Sequence, residues 1–384
     1  MSWERQKSSV ADMPEEPSLV FWLIGGLVAL VAGVLLFVLH ANQLLGSLQH
    51  YNLWLLFGSP LFTWFVLICL RGWRYNNAVD KHEFEAKEAG YSQQQWTQWA
   101  GRYLAVMHSE VFLPDSLTPV QFISAAGREQ HAKQDLRVDI LSDDEAIAAF
   151  LGNLVEPLTR LPADLPLNVL LLTDSPEDTL VLQTLFEESW QHLMPSGYPA
   201  PVLEILRSYS FDAVERRIKT PDISAELILV QQMHGADRYS DALATLLLIS
   251  DDVATKYGLD HDVRLLRPMS LESDDLLSEL ELYFSTQTQG ITTQHILGDR
   301  VRWGELFSSL LKAAEQHKGY WKTEQLHWLE TYAGICGPFS PWIMAAVVSD
   351  VVRFQQAGCL MLSESEGERF INTVITGNKN ENSR

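Results

Sequence analysis

The residues whose types could do chemistry are few in this chain of 384 residues, and the first of them is a histidine. Histidine is the side chain most often used as a general acid or base. His234 follows a short apolar run, residues 225–231, which is typical of a buried strand. Because sites in α/β proteins gather at the carboxyl ends of strands, His234 is the leading candidate for acid–base catalysis, with an inert loop histidine as the alternative. His295, near a second predicted strand at 292–297, is a weaker candidate.

A thiol is the second candidate. Cys336 lies in a Gly-rich turn, residues 334–338, directly before a helix predicted at 341–356. A helix N-terminus lowers the pKa of a cysteine and so favours the nucleophilic thiolate. The Pro338 and Phe339 that follow favour a packed turn instead, so both interpretations of Cys336 stay open. The glycines of the same turn are also a weak signal for phosphate binding.

The common catalytic and cofactor motifs are missing from the sequence. It contains no GxGxxG, GxxxxGK[ST], HExxH, GxSxG or CxxC pattern. Three aspartate pairs are explained most simply as helix N-terminal charges or solvated loops. The cysteines are well separated, which fits a reducing compartment and indicates neither a disulfide framework nor a zinc site. We therefore predict no metal and no cofactor. The aspartate pairs are Asp143-Asp144, Asp251-Asp252 and Asp274-Asp275, and the cysteines are Cys69, Cys336 and Cys359.

Two apolar stretches must position everything that follows them. Residues 19–39 contain no charged side chain, and a helix of that length spans about 30 Å, the thickness of the hydrocarbon core of a bilayer. Residues 53–70 are again uncharged and carry Pro60, which membrane helices tolerate better than soluble ones. The polar segment between them is too short to be a domain. The pattern predicts a transmembrane hairpin over residues 19–70, with the lipid bilayer as its partner.

The distribution of positive charge predicts how this hairpin is oriented. Arg5 and Lys7 precede it, and the connecting loop has no Lys or Arg. Arg71 and Arg74 follow directly after it. Because positive residues near span ends stay in the cytoplasm, the N-terminal segment 1–18 and the soluble domain are both predicted to be cytoplasmic. A cleavable signal peptide is the weaker interpretation, since the start of the chain is acidic and the cleavage site is poor.

The overall charge excludes one class of partner. The chain has 28 Lys and Arg against 49 Asp and Glu, a net charge of −21. Nucleic-acid binding requires basic patches, so no nucleic-acid partner is expected. The same acidity argues against a domain that lies flat on anionic lipid. It is explained most simply as a source of solubility.

Beyond the hairpin the sequence changes character. Residues 71–160 are predicted to hold a juxtamembrane helical region, broken near Gly90, and the start of a globular domain; the aromatic spacing extends the helix over 92–107. Residues 161–377 alternate short apolar runs with amphipathic segments, which is typical of α/β architecture with parallel or mixed sheets. No tandem repeat is visible. The polar residues 378–384 are predicted to be a disordered tail.

Three stretches of the C-terminal half resemble the thiolase and β-ketoacyl synthase superfamily. Residues 240–248 are similar to a strand that small residues precede, 334–352 to the Gly-rich turn and its helix, and 358–367 to the closing hairpin. The N-terminal half is similar only in its alternation of strands and helices. The resemblance implies a thiolase-like α/β fold, with layered mixed sheets and helices, over residues 161–377.

This resemblance also implies a catalytic site that the chain lacks. The active enzymes of the family carry a histidine in the Gly-rich turn, where this chain has Ile335 and Cys336. Their nucleophilic cysteine lies on a buried helix of the N-terminal half, and this chain has no cysteine between Arg71 and Arg300. Without a thiolate, acyl transfer loses its covalent step. The resemblance therefore implies a degenerate site in a pseudoenzyme, and a fold retained for binding.

The layout also resembles membrane-tethered adaptor proteins of bacterial type VI secretion, including those that help to load lipase effectors. This implies a multi-pass protein of the bacterial inner membrane that acts as a non-catalytic adaptor and recruits a protein partner, such as a secretion effector or component. The alternative is a membrane-tethered enzyme that acts on an acyl or lipid-derived substrate with His234 or Cys336. A homo-oligomer is a further hypothesis, because Gly25, Gly26 and Gly33 would let helices approach closely.

Overall fold

The computed structural model describes residues 3, 5, 10–124, 130–140, 142–195, 199–272 and 275–378. The chain divides into two compact units, the first comprising Gln6–Gln95 and the second Met1–Arg5 together with Trp96–Arg384. We call the first the hairpin unit and the second the globular domain. Of the tail predicted at 378–384, residues 379–384 lie outside the described residues.

Two long helices make up most of the hairpin unit. Helix α1 spans Leu19–Ala41, and its N-cap residue Ser18 accepts a hydrogen bond from the backbone of Phe21. Helix α2 spans Leu53–Ala100 and continues beyond this unit. Both helices contain stretches that are long and apolar enough to cross a membrane. The predicted pair of apolar helices is thus present.

The glycines of α1 serve a contact inside the hairpin. A Cβ atom at Gly33 would lie 2.6 Å from the carbonyl oxygen of Phe57, and one at Gly26 would lie 3.0 Å from the ring of Trp64. The indole of Trp64 also donates a hydrogen bond of 3.0 Å to the carbonyl of Trp22. Close approach of the two helices therefore uses the small residues. Because these glycines pack inside the hairpin, they no longer favour a homo-oligomer in which they would pair two copies of the chain.

Helix α2 differs from its prediction, because it is continuous where a break near Gly90 was expected. A glycine inside a helix costs only about 1 kcal/mol relative to alanine, and the residues around Gly90 are mostly good helix formers. Pro60 leaves the carbonyl of Leu56 without its helical amide donor. The hydroxyl of Ser59 donates to that carbonyl at 3.0 Å instead. The helix therefore passes both residues without a break.

The end of α2 also differs from the helix predicted over 92–107. The helix stops at Ala100, and strand β1 begins at Tyr103. The aromatic spacing that suggested a helix continues across this junction by coincidence. Residues 103–112 pair with strands on both sides, and such pairing overrides local helical preference.

The described part of the globular domain forms one mixed sheet of eleven strands. Along the sheet the order is β3-β2-β4-β5-β1-β6-β11-β10-β8-β9, and β7 pairs with β11. The strands are β1 (Tyr103–Phe112), β2 (Leu167–Thr173), β3 (Leu203–Leu206), β4 (Ala225–Gln232), β5 (Ala242–Ser250), β6 (Val263–Leu266), β7 (Met269–Ser270), β8 (His295–Gly298), β9 (Leu326–Trp328), β10 (Cys359–Ser365) and β11 (Glu368–Thr376).

Helices cover both faces of this sheet. Helices α3, α7 and α12 share one apolar core with the inner faces of both sheet halves. On the outer face, α4, α6 and α8 cover the N-terminal half, and α9 and α10 cover the C-terminal half. The helices are α3 (Pro119–Ser124), α4 (Asp143–Gly152), α5 (Val155–Thr159), α6 (Thr179–Leu193), α7 (Asp212–Lys219), α8 (Asp251–Tyr257), α9 (Leu276–Thr286), α10 (Phe307–Glu315), α11 (Glu330–Ala333) and α12 (Ser340–Gln355).

The two halves of the sheet have the same topology. In the N-terminal half β3, β2 and β4 are parallel, and β5 and β1 follow as antiparallel strands. In the C-terminal half β9, β8 and β10 are parallel, and β11 and β6 follow in the same way. Strands β1 and β6 pair antiparallel where the halves meet. The predicted mixed α/β fold, with helices layered on the sheet, is confirmed.

Candidate functional site

The equivalence of the two halves extends to one residue at the carboxyl end of each central strand. In the N-terminal half Thr173 pairs with Gln231, and the backbone amide of Asp174 donates to the carbonyl of Gln231 at 3.3 Å. In the C-terminal half Gly298 pairs with Leu362, and the amide of Asp299 donates to the carbonyl of Leu362 at 3.1 Å. Two aspartates therefore occupy equivalent places, at the sheet edge where α/β proteins usually bind ligands.

Asp174 is held by the loop that follows β4. Its carboxylate accepts hydrogen bonds from the backbone amides of Met233, at 3.0 Å, and His234, at 2.8 Å. The hydroxyl of Tyr239 donates to it at 3.0 Å. Burial, together with the Asp174 charge, raises the pKa of Tyr239 to about 12. Tyr239 therefore remains a proton donor to the carboxylate at neutral pH.

His234 stands between two carboxylates. Its Nδ1 lies 3.4 Å from Oδ1 of Asp174, and its Nε2 lies 3.7 Å from Oδ1 of Asp143. Asp143 is the first residue of α4, and its carboxylate also accepts hydrogen bonds from Gln231, at 2.7 Å, and Ser175, at 2.5 Å. The His234 side chain is 35 % exposed. An imidazole in this position can exchange protons with a molecule from solution.

A cavity of about 670 Å³ opens beside His234. One part of its wall is apolar and includes Val181, Leu185 and Met233. The rest carries several carboxylates, among them Asp144 and Glu177. The cavity is therefore amphiphilic, with excess negative charge on its polar side. We call Asp143, Asp174, His234, Tyr239 and this cavity the open site.

The equivalent Asp299 is completely enclosed. Its side chain accepts hydrogen bonds from the indole of Trp303 at 2.6 Å, the hydroxyl of Ser340 at 2.8 Å and the amide of Glu364 at 2.8 Å. Burial raises the pKa of Asp299 to about 6. We call Asp299, Trp303 and Ser340 the sealed site. It holds a carboxylate in place but offers no room for a ligand.

Cys336 belongs to the sealed region rather than to the open site. Its Sγ donates a hydrogen bond of 3.0 Å to the backbone carbonyl of Asp299. Burial, and next the Asp299 charge, raise the pKa of the Cys336 thiol well above its usual value. This is opposite to the lowering that a helix N-terminus would cause, because desolvation dominates here. The thiol is therefore a poor candidate for a nucleophile.

The glycines of the same turn serve close packing. Gly334 has a left-handed backbone, with φ of +78°, and a Cβ there would lie 2.3 Å from Oγ of Ser240. A Cβ at Gly337 would lie 2.3 Å from Oε1 of Gln232. The space at this turn is about 20 Å³, enough for about one water molecule. The geometry favours the packed-turn interpretation over phosphate binding.

The remaining sequence candidates lie in other places. His295 begins β8, and its ring centre is 5.4 Å from that of His327. Burial lowers the pKa of both imidazoles, to about 4 for His327. Asp251 and Asp252 each lie 2.6 Å from the Arg102 guanidinium, which is a structural role. Within the described ranges we find no group of three or more His, Cys, Asp or Glu placed to hold a metal ion.

One of the three aspartate pairs named in the sequence analysis, Asp274-Asp275, remains to be located. Asp275 caps α9 by accepting a hydrogen bond from the backbone of Ser278, and Asp274 lies outside the described residues. Sequence reasoning did not single out Asp174, Tyr239 or Asp299 as functional residues. Asp174 directly follows the apolar strand β2, so the rule that pointed to His234 could also have found it.

Comparisons with known proteins give structural likeness only. No protein-family model matches the chain, and no curated protein is similar to it in sequence. One chain from the structure of a type II polyketide-synthase acyl-carrier protein in complex with its ketosynthase bound to the hexaketide is similar, with a TM-score of 0.48 and 10 % identity, over 71 % of this chain and 99 % of that one. The ketosynthase of module 1 of the bacillaene synthase from Bacillus amyloliquefaciens is similar with a TM-score of 0.48 and 9 % identity. The match covers 73 % of this chain and 77 % of that one.

A third similar structure is 3-oxoacyl-(acyl carrier protein) synthase III from Pseudomonas aeruginosa. Its TM-score is 0.38 and its identity 11 %, over 72 % of this chain and 99 % of that one. These proteins are of the kind that the C-terminal motifs resemble. At such identities and scores, the likeness carries no conclusion about activity, substrate or partner.

Proposed function

We propose that this protein is a non-catalytic adaptor of the bacterial inner membrane that recruits a protein partner, such as an effector or component of type VI secretion. The state of the Cys336 thiol carries the proposal. A thiolase-like acyl transfer needs an accessible thiolate, whereas the Cys336 sulfur is held against the Asp299 carbonyl. Cys359 is buried, and burial raises its pKa to about 12. The contacts of these two cysteines therefore support a function that does not use a thiolate.

The attachment to the membrane supports the same proposal. Trp3 and Arg5 belong to the globular domain, which otherwise begins at Trp96. This grouping supports a topology in which the segments before α1 and after the apolar part of α2 lie on the same side of the membrane. Together with the charge distribution, this supports two crossings and a cytoplasmic domain. Labelling of Gln43→Cys, but not of Ser92→Cys, by a membrane-impermeant maleimide added outside the inner membrane would agree with this topology.

The open site is the surface that we expect the partner to use. Leu180 is 76 % exposed and Val181, in the cavity wall, is 44 % exposed. An apolar patch with a polar rim is the usual arrangement of a protein interface. Affinity capture of the full-length protein from detergent-solubilised native membranes, followed by mass spectrometry, tests the proposal. A secretion component or a toxic effector among the captured proteins is the expected result, and recovery of this protein alone would contradict it.

A membrane-tethered enzyme is the second candidate function, and the position of His234 favours it. An imidazole beside two carboxylates, at the edge of an amphiphilic cavity, could transfer protons on an acyl or lipid-derived substrate without a thiol. The apolar wall would hold the acyl part. Replacement of both His234 and Cys336 by alanine would abolish such an activity in cells. Full biological activity of that double variant would exclude the enzyme, and it would also show that His234 is not needed to bind the partner.

A further inference from the structure

The indole of Trp3 is inserted into the globular domain, although Trp3 precedes both apolar helices in the chain. It is only 6 % exposed, and its Nε1 donates a hydrogen bond of 3.1 Å to the carbonyl of Pro268. The ring stacks on Tyr283 with centroids 5.4 Å apart and an interplanar angle of 28°. The edge of Trp99 meets it at 5.2 Å. Aromatic pairs of this kind stabilise beyond their buried area.

Arg5 adds a polar contact two residues further on. Its guanidinium donates to the hydroxyl of Thr286 at 2.6 Å and to the carbonyl of Ser285 at 3.4 Å. Burial lowers its pKa from the usual arginine value. An aromatic anchor and a directional charged donor together make a recognition motif with a fixed spacing.

The walls of the Trp3 pocket are held by bonds that do not involve Trp3. The hydroxyl of Tyr283 bonds to Gln287 at 2.5 Å and to Thr373 at 2.6 Å. The side-chain amide of Gln287 donates to the carbonyls of Ala100, at 2.8 Å, and Arg267, at 3.0 Å. The domain therefore presents a built pocket at the junction where α2 ends. This distinguishes the contact from the collapse of a loose terminus onto a surface.

We propose that Trp3 and Arg5 are a docking motif and that this pocket, formed by Trp99, Pro268, Tyr283 and Thr286, is its receptor. The chain is then attached to the domain both before and after the segment 6–95, by docking of Trp3 and Arg5 and covalently at Trp96. This contact is separate from the recruitment of a partner at the open site. It gives the domain a second attachment to the membrane anchor, which release of the motif would remove.

Hydrogen exchange on the full-length protein in detergent micelles tests this docking. Trp3→Ala is expected to speed exchange of the amides at 283–290 about tenfold while the sheet stays protected, because a local contact is lost and the fold is not. Trp54→Ala is the matched control, since Trp54 is 71 % exposed in the hairpin unit. Unchanged exchange in Trp3→Ala would overturn the proposal. So would faster exchange throughout the sheet, because Trp3 would then be an ordinary core residue.

A peptide of residues 1–12 added in trans makes the test specific. It should restore slow exchange to the Trp3→Ala protein, whereas the same peptide with alanine at position 3 should not. Wild-type protein should not bind the peptide, since its pocket is filled. If Trp3→Ala does not fold, Arg5→Ala replaces it, with a smaller local effect and the same rescue. Failure of the peptide to bind either variant would show that the segment is not a docking motif.

Discussion

The two halves of the sheet carry an aspartate at the same point of the same topology and surround it differently. Asp174 lies beside His234 and a cavity, whereas Asp299 is enclosed by Trp303 and Ser340. Each backbone amide makes the same hydrogen bond to the neighbouring strand. Topology therefore fixes where the carboxylate lies in each half. The side chains of the surrounding loops decide whether a ligand can reach it.

The inner helices of the two halves show the same contrast. Helix α12 in the C-terminal half is buried from Ser340 through Val352. Its counterpart α7 is half as long, carries charges along most of its length and buries three residues, Ala213, Val214 and Ile218. The C-terminal half therefore supplies the packed centre of the domain. The N-terminal half keeps the more open edge, where the candidate site lies.

The largest effect that separates the two sites is on stability. Asp299→Ala leaves three donors without their acceptor inside the protein, and we expect a loss of about 3 kcal/mol in the free energy of unfolding. Asp174→Ala should cost less, about 2 kcal/mol, because Asp174 is a partly exposed residue beside the partly exposed His234, where solvent water can replace the carboxylate as acceptor. Denaturant titrations of the full-length protein in detergent measure both. Equal losses would show that the sealed and open sites do not differ in this way.

The second effect is on the pH dependence of stability. Burial raises the pKa of Asp299, and also that of Asp350, from 3.8 to about 6. A carboxyl group that holds its proton more tightly in the folded state makes unfolding easier as the pH rises between those two values. Asp299→Asn and Asp350→Asn should each make this decline smaller. If Asp299→Asn kept the whole decline between pH 4 and pH 6, the buried charge would not be its source.

A third experiment exchanges one residue between the halves. Thr173 and Gly298 occupy equivalent positions, but a Cβ at Gly298 would lie 2.7 Å from the ring of Trp328. Gly298→Thr should therefore cost about 2 kcal/mol through overpacking. Thr173→Gly should cost about 1 kcal/mol, since it loses the hydroxyl bond to Gln231. Thermal unfolding ranks the two variants, and a smaller loss for Gly298→Thr would contradict the tight packing of the sealed half.

Part of this contrast could be predicted from the sequence. The apolar run before His234 places it correctly at the carboxyl end of β4, and residues 19–70 are correctly predicted as two apolar helices. The equivalence of the two halves of the sheet could not be predicted, because equivalent strands share backbone topology but no residue pattern. Five of the seven residues of β2 are apolar, whereas β8 is the four-residue segment HILG. Equivalence of Asp174 and Asp299 therefore appears only once the strands are paired.

Local patterns also failed where tertiary contacts decide the structure. Aromatic residues at helical spacing extended the predicted helix past Ala100 into β1, whose pairing with β5 and β6 sets its conformation. Cys336 is a similar case. Its position before α12 suggested a lowered pKa, but burial beside Asp299 raises it, and burial cannot be read from neighbours in the sequence. The docking of Trp3 depends on residues more than 260 positions away, such as Pro268 at a sequence separation of 265.

His234→Ala should have the smallest effect on stability and the largest effect on capture of the partner. His234 is partly exposed, so His234→Ala should change the free energy of unfolding by less than about 0.5 kcal/mol. Ser340→Ala in the sealed site is the matched control and should lower stability by about 1 kcal/mol. Its surface is unchanged, because Ser340 is only 3 % exposed.

The most direct measurement is quantitative capture of the partner from native membranes by these two full-length variants and the wild type. We expect Ser340→Ala to retain the captured protein and His234→Ala to lose most of it, although His234→Ala is the more stable variant. That result would place function in the open half and structural support in the sealed half. Equal capture by both variants, or loss that follows stability alone, would contradict the assignment of the open site as the surface that binds the partner.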